Sequence, residues 1–133
     1  MIEKRVNEKI VRSFLDLVAM TILNGKPAYG YEIMSVIHEE FGVLLSPGVL
    51  YPLLHSLEDE GLIESGKNGG RIVYKTSSKG EQQFERTLNA FNLAVEEMLN
   101  FIKEWLRRGG GRKGREGERE SSASLIVSLA GVA

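Results

Sequence analysis

Residues 46–76 leave this chain few folds to choose from. Ser46-Pro47 is a strong helix start, because serine caps a helix N-terminus well and proline is at home in the first helical position. The helix runs to about residue 60, with Leu50, Leu53, Leu54 and Leu57 on one face, and Gly61 ends it. Pro52 lies inside it, where it should remove one backbone hydrogen bond and bend the helix. Residues 62–65 and 71–76 then read as short strands. The Gly66-Lys67-Asn68-Gly69-Gly70 segment between them signals a hairpin turn. A leucine-faced helix leading straight into a hairpin cannot close a core alone, so neighbouring helices must cover the leucines.

The flanking segments supply them. Residues 7–23 place Ile10, Phe14, Leu17, Val18 and Ile22 at helical spacing, and Asn24-Gly25-Lys26-Pro27 ends that run. A second helix, about residues 30–40, carries Ile33, Met34, Ile37 and Phe41 on one face and stops at Gly42. Downstream, residues 79–107 read as one long helix. Its Phe84, Leu88, Phe91, Val95, Met98, Ile102 and Trp105 recur at intervals of 4, 3, 4, 3, 4 and 3. A sustained 3.5-residue period is the mark of a helix–helix seam, so this is the expected dimerisation helix. Ala94, Leu99, Phe101 and Leu106 widen the apolar face beyond a bare seam.

Helix, tight turn, helix and hairpin in this order predict a mainly α winged helix-turn-helix with a two-stranded wing. Three regions are expected: a DNA-binding domain over residues 1–78, the dimerisation helix over 79–107, and a flexible basic, glycine-rich tail over 108–133 with a short apolar end. Such a fold presents its second helix to a major groove wide enough to admit it.

Charge narrows how the chain meets DNA. The formal net charge is −1. Residues 1–106 hold 11 Lys and Arg against 15 Asp and Glu, whereas residues 107–133 hold 6 against 3. So acidic a body needs a local basic face to bind nucleic acid. The absence of cysteine removes disulfides, thiolate metal cages and thiol nucleophiles. With two histidines, no metal or other cofactor is expected. The first residues show no signal-peptide pattern, and no run approaches the roughly 20 apolar residues of a membrane span. A cytoplasmic protein without membrane attachment is the expectation. Glu39, Glu40, Glu58, Asp59 and Glu60 read as solvated helix ends without a nucleophile beside them, and no enzymatic role is expected.

Three stretches resemble the PadR family of transcriptional regulators: YGYEI at 29–33, SPGVLYPLLHSLEDEGLI at 46–63 and VYKTSSKG at 73–80. The resemblance implies a winged-helix regulator that binds operator DNA as a homodimer, most often as a repressor, released in some members by small aromatic effectors. Two departures stand out. Tyr29 occupies a position where the family often has histidine, and Arg71 is the only arginine of the wing.

Candidate contacts to double-stranded DNA follow from the resemblance and the residue types. Ser46, Pro47, Gly48, Tyr51 and His55 line the helix face opposite the leucines. Tyr31 starts the preceding helix, and its hydroxyl is placed either for a phosphate or for packing. Lys67, Arg71 and Lys75 are the wing cations. Gly48 would permit close backbone approach. His38 reads as a surface histidine. Phe91 and Trp105 are the seam residues that a flat aromatic effector would stack on; plain dimer packing is the other reading. The alternative function is a winged-helix dimer that serves as a protein-interaction module through its acidic surface.

Overall fold

A computed structural model describes residues 1–110; the expected tail lies, from residue 111 on, outside the described residues. Five helices and three strands follow in the order α1 (Ile2–Ser13), α2 (Leu15–Gly25), β1 (Ala28–Tyr29), α3 (Gly30–Phe41), α4 (Pro47–Asp59), β2 (Ile63–Asn68), β3 (Arg71–Thr76) and α5 (Ser78–Arg107). Glu3–Leu88 form one compact unit and Asn89 begins a second, so the boundary falls inside α5.

The first unit is a winged helix-turn-helix. Its core joins Val11, Leu15, Met20 and Leu23 to Ile33 and Ile37 of α3 and to Leu50, Leu54 and Leu57 of α4. Ile63 of β2 and Tyr74 of β3 close it from the sheet side. Tyr74 is only 2% exposed, and that burial raises its phenol pKa above the ordinary 10.0.

Local chemistry accounts for most element ends. Ser46 is extended, and its carbonyl accepts the first α4 bonds from Val49 N at 3.1 Å and Leu50 N at 3.2 Å. Its hydroxyl makes no capping bond. At the other end Gly61 N donates to Glu58 O and Leu62 N to Leu57 O, both at 2.9 Å. This is a Schellman cap, which needs the left-handed φ of 76° that Gly61 adopts, and it turns Leu62 into the core. Gly69 and Gly70 both have positive φ, as a two-residue hairpin turn of the primed type requires.

Two expectations change here. The single helix expected over 7–23 is two helices that meet at Phe14, whose φ of −118° and ψ of 33° leave the helical range. Val11 of α1 and Leu15 of α2, on either side of the break, both lie in the core. The sheet has three strands rather than two: β1 pairs antiparallel with β3, giving the order β1-β3-β2. Its two residues, Ala28 opposite Tyr74 and Tyr29 opposite Val73, are too few to show a period in sequence.

The second unit contains the C-terminal part of α5. Leu93, Met98, Leu99, Phe101 and Trp105 are exposed there, while Phe91 and Ile102 are half-buried. Trp105 and Phe101 rings lie 5.6 Å apart. Arg107 clasps Glu104 at 2.6 Å, and that hydrogen bond holds the Glu104 carboxyl below its ordinary range.

Candidate nucleic-acid interface

α3 and α4 form the helix-turn-helix, and the leucine face of α4 determines which of its residues remain outside. With Leu50, Leu54 and Leu57 buried, Gly48, Pro52, His55 and Ser56 stand exposed, and so do Ser46 and Pro47 at its N-terminus. A Cβ built on Gly48 would meet nothing closer than Ser46 Oγ at 3.7 Å. Among the described residues, no packing therefore demands glycine there.

Tyr51 is only half free. It lies across the first residue of α3, so that a Cβ on Gly30 would come within 2.5 Å of the Tyr51 hydroxyl. Gly30 is thus the contact that lets α4 approach α3 through an aromatic ring. The tyrosine belongs partly to this packing and partly to an open depression lined by Tyr29, Gly30, Tyr31, Tyr51, Arg71 and Ile72. That depression brings α4, the start of α3 and the wing together. Of the residues expected from sequence, Tyr31, Tyr51 and Arg71 meet in it.

The wing cations differ in their surroundings. Lys67 is exposed, opposite Ile72 near the turn. Lys75 faces Glu64 across the ladder, and their charged groups are 3.6 Å apart with both side chains more than half exposed. Such a pair is worth little in stability but partly cancels the charge of Lys75. Arg71 lies 5.9 Å from the Tyr29 ring centroid and 5.8 Å from that of Tyr31. Among the described residues it pairs with no carboxylate.

Sequence reasoning missed two residues of this cluster. Tyr29 is brought beside Arg71 by β1, and Asn68 Nδ2 donates a 3.0 Å hydrogen bond to the Tyr29 hydroxyl. The tyrosine pair two residues apart was visible, but its wing partners were not. Of the expected seam residues, Phe84 packs against the core of the first unit.

The family model described as "Transcriptional regulator PadR-like family" matches residues 19–86, half of the chain and all of this helix-turn-helix and wing. The chain belongs to the PadR-like family. Among similar proteins is the "Transcriptional activator GvpE" of Haloferax mediterranei, 34% identical over 99 residues, covering 72% of this chain and 48% of that protein. This PadR-like chain spans about half the length of the curated relatives it matches. A solved padr family transcriptional regulator from Eggerthella lenta shares its fold with a TM-score of 0.64 and 26% identity, over 71% of this chain and 86% of that one. F93 from STIV, described as a winged-helix DNA-binding protein, matches with a TM-score of 0.52 and 26% identity, over 61% of this chain and 88% of that one. The PadR-like chain thus has the winged-helix fold of the regulators it resembles. Among the described residues no helix is long and apolar enough to cross a membrane.

Proposed function

We propose that this PadR-like chain regulates transcription as a homodimer, each subunit placing α4 in a major groove of a palindromic site. The observation that carries this reading is the depression joining Tyr51 of α4 to Tyr31 and the uncompensated Arg71 of the wing. In a chain with net charge −1, it lies beside a locally basic hairpin. Ser46, Pro47, Gly48 and His55 extend the same helix surface, and Lys67 supplies a second wing cation. The three regions are a DNA-binding domain over 1–78, a dimerisation helix over 79–107 and a basic tail over 108–133. The exposed seam side chains Leu88, Val95, Met98 and Trp105, 38–60% exposed, support the dimer, because so many large apolar groups on one helix call for a cover.

Binding of the purified chain to its own upstream DNA, measured at several salt concentrations beside an unrelated fragment, tests the reading. A preference of about 10³-fold or more is expected at physiological salt. Lys67→Ala should weaken binding to both fragments and flatten the logarithmic salt dependence by about one unit. Equal, weak binding to both fragments, indifferent to Lys67, would favour the protein-interaction module instead.

The resemblance favours a repressor, whereas the curated relatives bear the name of activators. A reporter placed behind the bound fragment decides the sign: repression lowers its output when the chain is expressed, and activation raises it.

A flat aromatic effector, in this reading, acts at Phe91 and Trp105. Trp105 is the only tryptophan, so its fluorescence reports that site alone. Saturable quenching by a small aromatic acid, lost in Phe91→Ala, is expected. Quenching that rises linearly without saturation would sink the effector site.

A further inference from the structure

Arg71 sits in an unusual setting for a surface arginine of an acidic protein. Arg12 holds Glu8, while Arg107 and Arg108 reach Glu104, and Arg5 and Arg86 make no ion pair among the described residues. Arg71 has aromatic rings instead. Tyr29 and Tyr31 stack with centroids 5.7 Å apart and planes 6° from parallel, and the guanidinium carbon lies just under 6 Å from both. Arg71 Nη1 donates a long 3.5 Å hydrogen bond to the Tyr31 hydroxyl. The Tyr29 hydroxyl is tied in turn to Asn68, the residue opposite Arg71 in the β2–β3 ladder.

An arginine held by a carboxylate has its charge balanced and its planar fork occupied. One held by ring faces keeps its charge, and most of its five N–H donors remain unused. The rings also restrict a side chain that would otherwise lose considerable rotamer freedom on binding. We propose that Tyr29, Tyr31 and Asn68 form a cradle that presents Arg71 to a single DNA phosphate. Tyr31 shares that phosphate through its hydroxyl. Tyr29 is a positioning residue that acts through Arg71. The cradle joins the wing to the first residues of α3, so the same phosphate contact sets the angle at which α4 enters the groove. This inference rests on the DNA-binding reading and adds to it the device that makes one wing arginine sufficient.

The test uses the full chain, a short duplex of arbitrary sequence and a salt series. Arg71→Ala should cost about tenfold in affinity and lower the logarithmic salt slope by about 0.9. Tyr29→Ala should reproduce most of both losses, although it removes no charge. Tyr29→Phe keeps the stacked ring and should keep the slope, with a loss of about twofold. The double variant Tyr29→Ala with Arg71→Ala should bind no more weakly than Arg71→Ala alone. A tyrosine that matters only for folding would lower the melting temperature and leave the slope of the folded protein unchanged.

Arg71→Lys makes the case independently of any effect on folding, since residue 71 is exposed. It retains the charge but not the planar fork, and affinity should fall towards that of Arg71→Ala. The cradle is overturned if Arg71→Lys binds like the wild type, if Tyr29→Ala retains the slope while Arg71→Ala loses it, or if the two alanine losses multiply. Wild-type protein that binds the duplex while every cradle variant matches it removes the cradle alone. Wild-type protein that fails to bind any duplex at low salt removes the DNA-binding reading and the cradle with it.

Discussion

Replacing Gly80 by alanine should lower the thermal midpoint by about 15 °C or more, a cost of roughly 3–5 kcal/mol out of a typical stability of about 5–15. Gly80 lies in the first turn of α5, where the chain leaves the wing and crosses the end of α4. A Cβ there would come within 1.9 Å of Leu62 O and 2.9 Å of Thr76 Cγ2. The carbonyl cannot step aside, because it already accepts a 3.1 Å bond from Ser77 N. Ser77 Oγ donates to Gly61 O at 2.6 Å while accepting from Gly80 N at 3.0 Å, and Lys79 Nζ donates to Glu60 O at 2.7 Å. One junction therefore caps the end of α4 and the start of α5 together. Pushing α5 away to admit a methyl group breaks several of these bonds at once. Gly25→Ala is the control. Its Cβ would meet nothing within 4 Å, so its midpoint should match or slightly exceed the wild type. A Gly80→Ala protein that melts within two or three degrees (roughly half a kcal/mol) of the wild type would refute this account of the junction.

The second large effect concerns assembly. If the chain assembles as the proposed homodimer, Val95→Glu should convert it to a monomer at micromolar concentration and weaken binding to the proposed operator by about 10²–10⁴-fold. Val95 is 38% exposed and lies midway along the seam between Phe91 and Met98. A two-fold interface repeats every substitution, so one mutation places two unpaired carboxylates at the dimer contact. Each costs several kcal/mol when it loses water without gaining a partner. The DNA loss follows because a monomer reads one half-site without the second head tethered beside it. Sedimentation at several protein concentrations measures the first effect, and titration of the upstream fragment the second. Glu96→Gln, next to Val95 but outside the heptad seam, should change neither. If Val95→Glu sediments as the wild type does, the seam is not the dimer contact.

Much of this architecture is written in local signals. The Ser46-Pro47 start, the Gly61 stop and the Gly69-Gly70 turn each act through backbone geometry within a few residues, so their meaning survives without knowledge of the fold. The leucine spacing of α4 likewise predicts its buried face, and Leu50, Leu54 and Leu57 are buried as that spacing requires. The break at Phe14 was hidden because apolar residues on both sides keep helical spacing, so that Val11 and Leu15, four residues apart, would share a face with or without it.

The candidate interface was legible only in its inventory. Residue types and the family resemblance named Tyr31, Tyr51 and Arg71. They could not show that Tyr51 spends part of its ring on Gly30, that Lys75 is partly neutralised by Glu64, or that Phe84 of the heptad run packs into its own core. Tyr29 acquires its place only when a two-residue strand pairs with β3 and sets it beside Arg71. The bonds that build the cradle join residues 39 and 40 positions apart. Sequence by itself determined the start of α4, its stop at Gly61 and the Gly69-Gly70 turn, because those choices are made by neighbouring residues through backbone hydrogen bonds and allowed dihedrals. Tertiary structure alone decided which charges stay uncompensated and which rings meet, because pairings across such a separation exist only once the core has closed.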